Sequence, residues 1–173
     1  MFRYNGKIQK IIDCVDIANG IFNKSDIYKS ISNYGAFDMA DCDSNKIAML
    51  MSNTYQIIEI EVNVYRPKWR WSKAIGYYSS SNPHNININY YKINTLSNAQ
   101  IVGNFAHELV HLADNLSEFN FGHGSNSSKG KEKTAPYYIG NIVSKAYGGI
   151  ETEPEFKNYV SLSWWQRIIQ WIF

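Results

Sequence analysis

The residues best able to act together are His107, Glu108 and His111, in the run His107-Glu108-Leu109-Val110-His111. This is the H-E-x-x-H pattern, in which two histidines four apart share one face of a helix. At 3.6 residues per turn they lie about 40° apart around the axis, so both imidazoles can reach one metal ion. Glu108 sits beside them, where a carboxylate can take a proton from a water that the metal activates. A catalytic zinc site wants a third protein ligand and keeps one position open. His123 lies beyond the helix end, flanked by Gly122 and Gly124, which let the chain turn back. Asp114, on the helix face of both histidines, competes with it, and could instead orient a ligand or cap the helix end. Glu118, Glu132, Glu151, Glu153 and Glu155 are the other carboxylates that could serve. Imidazole is a common zinc ligand, so His123 ranks first, giving one zinc per chain on His107, His111 and His123. A phenol near the metal could hydrogen-bond an oxyanion, and Tyr137 or Tyr138 could supply it.

These side chains converge only if a helix carries the first pair. Phe105, Leu109, Leu112 and Leu116 recur at helical spacing and form a core-facing stripe. Thr95 to Ser97 offers caps, and the helix should run to about Asn115. Upstream, from Tyr55, Ile58, Ile60, Val62 and Val64 alternate with polar residues as a half-buried strand. Residues 74–78 read as a second strand, and Ile86, Ile88 and Tyr90 mark a third, whose edge over Asn85 to Tyr91 could receive an extended peptide. Downstream, Pro136 opens a helix stopped at Gly148-Gly149. A last helix from about Pro154 is apolar nearly all round, through Trp164, Trp165 and Trp171, and either packs or docks a partner or membrane.

The first part of the chain reads as helical. A helix over Ile8 to Ile17 should stop at Asn19-Gly20, another should start at Ser25, and a third should be capped by Ser44 or Asn45. Asp38, Asp41 and Asp43 lack the glycine and glutamate of a calcium loop and read as a solvated acidic turn. Lys68-Trp69-Arg70-Trp71-Ser72-Lys73 reads as aromatic packing with snorkelled charges, and His84 as a surface histidine.

With 173 residues, 45% of them hydrophobic, one domain with a real core is expected. Its parts are a helical N-terminal segment 1–53, a core 54–147 holding the site, and an aromatic C-terminal helix 148–173. The net charge of +2 is too small to argue for a nucleic-acid partner. Cys14 and Cys42 suit two thiols in a reducing compartment and have no zinc-binding spacing. No secretory signal or apolar run of about 18 residues is present, which suits a cytoplasmic or particle-packaged protein.

From Ile86 to Ile142 the chain resembles the zincin metallopeptidases, closest to small single-domain kinds that include SprT-like proteins and zinc peptidases encoded by bacteriophages. The resemblance rests on the asparagine-rich strand, His107-Glu-Leu-Val-His111, Phe121-Gly-His-Gly124 and Ala135-Pro-Tyr-Tyr-Ile-Gly140. It implies zinc on His107, His111 and His123, Glu108 as general base and Tyr137 as a transition-state residue. Asp114 and Ser117 stand where the metzincin pattern wants glycine and histidine, so the chain is not of that branch. The implied fold is α+β, with a small, mostly antiparallel twisted sheet packed on the metal helix and helices from both termini around it. The implied activity is hydrolysis of peptide bonds in a polypeptide substrate. Two other readings stand beside it: a catalytically silent zincin-fold module that binds a partner, and a hydrolase of a non-peptide amide such as a cell-wall crosslink.

Overall fold

The structure, a computed structural model, describes residues 1–124 and 130–148. Among these the chain is α+β, with the order β1 (Phe2–Arg3), α1 (Gln9–Phe22), α2 (Ser25–Ser32), α3 (Ser44–Ile57), β2 (Ile60–Tyr65), β3 (Gly76–Tyr78), β4 (Asn85–Asn89), α4 (Tyr90–Ile93), α5 (Asn98–Asn115) and α6 (Ala135–Gly148). The expected C-terminal helix lies outside the described residues.

The sheet has the order β1-β2-β4-β3. It is mixed, not mostly antiparallel: β2 runs parallel to both β1 and β4, and only β3 pairs antiparallel, with β4. The reason is the path of the chain. Three helices carry it from β1 back to the start of β2, and the excursion through β3 returns β4 in the direction of β2; parallel neighbours need long crossovers of this kind. The same order overturns the expectation that Asn85 to Tyr91 is an edge. β4 is interior, and among the described residues β3 is the edge on that side.

Several boundaries move for local reasons. α1 continues through Asn19-Gly20 to Phe22, because the Asn19 side chain is occupied elsewhere. Its Oδ1 accepts the Phe2 amide and its Nδ2 donates to the Phe2 carbonyl, both at 3.0 Å, which pins β1 to the helix. α3 is capped by Asp43, whose carboxylate accepts the Lys46 amide at 2.8 Å, not by Ser44 or Asn45. Tyr55 belongs to α3 and not to the strand, since Ile47, Ala48, Met51, Thr54 and Tyr55 are buried at helical spacing. Phe2 sits among Phe22, Tyr55 and Phe105, with ring centroids 5.6–5.8 Å away.

α5 is the central element. Ser97 and Gln100 form the reciprocal capping box at its start, with bonds of 3.2 and 2.8 Å. Phe105, Leu109 and Leu112 face the core as expected, whereas Leu116, at the helix end, is 52% exposed. α6 crosses α5 with glycine against glycine. A Cβ on Gly103 would lie 2.7 Å from the Gly140 carbonyl oxygen, and one on Gly140 would lie 2.9 Å from that of Gly103. These obstacles are backbone, so the helices would have to separate. Gly103→Ala is expected to cost about 1–3 kcal/mol in urea unfolding, as overpacking does. Gly20→Ala, with nothing within 4 Å, is the matched control and should not destabilise. Equal effects at both positions would refute the close crossing.

Candidate metal centre

The α5 helix aims His107 and His111 at one point, and the chain after it brings a third imidazole to meet them. His123 Nε2 lies 3.0 Å from His111 Nε2 and 3.2 Å from His107 Nε2. His107, His111 and His123 are thus close enough to bind one metal ion. Nε2 of His123 faces two others, and one ring proton cannot serve both contacts. A cation at the centre satisfies all three lone pairs.

The loop that returns His123 is built from Asp114. Its Oδ1 accepts the Phe121 amide at 2.6 Å, while the Ser117 hydroxyl lies 3.1 Å from the Asp114 carbonyl and 3.0 Å from that of Phe119, with one proton shared between them. A Cβ on Gly122 would come within 3.1 Å of Asp114 Oδ2 and 3.8 Å of His111 Nδ1, so this position suits glycine through lack of space. Gly124 has φ +69°, a conformation that favours glycine. Asp114 is therefore a support for the His123 loop and does not join the ligand group. Burial raises its pKa, while the Phe121 and Gly122 amides and His123 act the other way. Glu118 and Glu132 are exposed and also stay outside the group, and Glu151, Glu153 and Glu155 lie beyond the described residues.

The acidic turn has a task that sequence reasoning missed. Asp41 Oδ1 accepts the Asn120 amide at 2.8 Å and its own amide donates to the Asn120 carbonyl at 3.0 Å. The Asp38 amide donates to the Lys133 carbonyl at 3.1 Å. This segment holds both flanks of the loop carrying His123. Only its acidic residues pointed to it, and those read as a solvated turn.

Glu108 is buried, 4% exposed, one residue after the first histidine. Asn104, one turn earlier, donates Nδ2 to Glu108 Oε1 at 3.3 Å. A Cβ on Gly76 would lie 2.3 Å from Asn104 Oδ1, so β3 must be side-chain-free at that point. Of the two phenols, Tyr137 is at the centre. Its ring meets His107 edge-on at 4.5 Å and stacks on His123 at 4.8 Å. Tyr138 packs away from it against Tyr34 at 3.9 Å and Phe37 at 5.6 Å. The Gly103–Gly140 crossing sets this arrangement, since His107 lies one turn along α5 from Gly103 and Tyr137 one turn before Gly140 on α6.

Burial keeps His107 and His111 neutral, as metal ligands must be. It pushes His111 down to about 4 from the ordinary 6.5, with the neighbouring His123 adding to the effect. It holds His107 well below 6.5, helped by His111 and His123 and opposed by the Pro136 carbonyl. His107 Nδ1 itself is buried without a hydrogen bond of normal geometry. A pH dependence of the metal-free protein follows. The unfolded chain protonates below about 6.5, and the folded one resists until about 4. The stability tied to neutral His111 is whole above pH 6.5 and is lost as pH falls through 4, on the order of 3 kcal/mol. Urea unfolding in chelator across that window measures it, and a flat profile would contradict it.

His84 is exposed, as expected. No helix among the described residues is long and apolar enough to cross a membrane. Comparison of the chain with protein-family models, curated proteins and solved structures gives no match.

Proposed function

We propose that the protein is a zinc-dependent peptidase, with zinc on His107, His111 and His123 and Glu108 as general base. The observation that carries this reading is the convergence of three imidazoles, two buried and one half-buried, beside a buried carboxylate. Zn–N bonds of about 2.0–2.1 Å at tetrahedral angles place the nitrogens about 3.3–3.4 Å apart. The separations of 3.0 and 3.2 Å are close to that. Among the described residues no fourth histidine, cysteine or carboxylate joins the group, which suits a catalytic site with one open position. When bound, zinc would supply Lewis acidity, lowering the pKa of a water to about 7 and polarising a carbonyl.

The chain's own residues do the rest. Glu108 accepts the proton of the attacking water and delivers it to the departing amine nitrogen. Asn104 Nδ2 holds one carboxylate oxygen of Glu108, which fixes the direction of that transfer. Tyr137, whose ring lies against His107 and His123, would hydrogen-bond an oxyanion through its phenol. β3, which among the described residues has one sheet neighbour, would offer backbone groups to an extended polypeptide.

The test is to incubate the zinc-loaded protein with a mixture of unfolded proteins and read new N-termini by mass spectrometry. Cleavage that stops on chelation and returns with zinc is the expected result. Absence of new termini with one zinc bound per chain would sink the peptidase reading and favour a silent module or another amide substrate.

A further inference from the structure

The loop between β2 and β3 does not pack as its sequence suggested. Trp69 and Trp71 are 56% and 69% exposed and stack on each other at 5.1 Å, so the reading of packed aromatics under snorkelled charges is corrected. Arg66 lies over the Tyr90 ring at 4.1 Å, and Arg70 lies 5.7 Å from that of Tyr91. Each guanidinium carries a planar fork of N–H donors that matches a carboxylate. Among the described residues no carboxylate is in ion-pair contact with either arginine. The charge is also segregated along the chain. Between Glu61 and Glu108 there are five Lys and Arg and no Asp or Glu, so the rest of the chain, with 12 against 15, is net negative.

The loop's two ends both reach the Glu108 side of the centre. Gly76 at its exit abuts Asn104, which bonds Glu108. Tyr65 at its entry contacts Tyr77 of the edge strand at 4.9 Å, and its phenol feels the Glu108 carboxylate. We propose that the loop from Arg66 to Lys73 recognises an acidic stretch of polypeptide and presents it along β3 to the metal centre. This specifies the substrate class of the peptidase proposed above and rests on that reading. Nucleic acid fits less well, because base stacking needs open ring faces. Here each indole has one face taken by the other, and the arginines lie near Tyr90 and Tyr91. A bilayer fits less well because the loop between β2 and β3 forms no amphipathic helix.

The experiment uses zinc-loaded Glu108→Gln protein, so that binding is read without cleavage. Fluorescence anisotropy compares a labelled poly-glutamate peptide with a poly-glutamine peptide of the same length. The glutamate peptide should bind about tenfold tighter at low salt and lose that margin as salt rises. Arg66→Gln with Arg70→Gln should abolish the margin while the melting curve and zinc content stay unchanged. The same charge loss at Lys7 and Lys24, exposed and remote in sequence from the loop, should leave it. Equal binding of the two peptides, or a margin that survives the arginine changes, would overturn the proposal. Tighter binding of oligothymidylate or phosphatidylglycerol vesicles, lost in the same arginine variant, would overturn it in favour of those partners. Poly-glutamate binding in a protein whose unmutated form cleaves nothing keeps the recognition surface and removes the peptidase. Cleavage indifferent to acidic residues does the reverse.

Discussion

His123→Ala is expected to empty the metal centre while leaving the fold in place. Native mass spectrometry should find one metal ion per chain in the unmodified protein and a sharply reduced fraction in the variant. His123 is the imidazole that faces both others, at 3.0 and 3.2 Å, and without it His107 and His111 offer a two-nitrogen site on one helix. Loss of a partner that only orients a ligand costs about 10- to 100-fold in affinity, and loss of the ligand itself should exceed that. Asp114→Ala supplies the comparison. It keeps all three imidazoles and removes the acceptor of the Phe121 amide, so its effect should fall within the smaller range. Metal that binds the folded state raises stability by about 2.7 kcal/mol at a hundredfold excess over Kd. Chelation should therefore lower the Tm of the unmodified protein and leave His123→Ala where it is. Full metal content in His123→Ala, or a greater loss in Asp114→Ala, would reverse the two assignments.

Glu108→Gln is expected to separate chemistry from metal binding. The substitution is nearly isosteric, and its amide can still meet Asn104, so the buried contact at 3.3 Å has a counterpart. Zinc content and Tm should be close to those of the unmodified protein. On the peptidase reading proposed above, hydrolysis should fall by about 10²- to 10⁴-fold, the usual contribution of a positioned base. A simultaneous loss of metal would mean that Glu108 supports the site rather than acting in it. Retained activity would place the base elsewhere.

Most of this centre was legible because it depends on short-range geometry. The helix pair is fixed by a four-residue spacing, and the cap at Ser97 by its partner Gln100. The Gly-His-Gly run needs only a reversal to return His123. The sheet was harder, because alternation looks the same in parallel and antiparallel strands. Which one forms is decided by where the intervening chain goes, and β1, with two residues pairing across three helices, carried no pattern at all. Tyr137 and Tyr138 are adjacent and chemically equal, so the choice between them required the position of α6. Asn104 and Gly76 escaped notice for a similar reason, since each acquires its role only from the other's element.

The glycine crossing also has an informational side. The two helices touch through backbone at Gly103 and Gly140, so any chain that builds the centre this way must spell the crossing as well as the ligands. That expands a five-residue string into a composite signature: glycine four places before the first histidine, aspartate three after the second, a later Gly-His, then tyrosine with glycine three places on. Chance satisfies the short string often and the composite one rarely, so a protein that matches it can be recognised as a relative even when little else aligns.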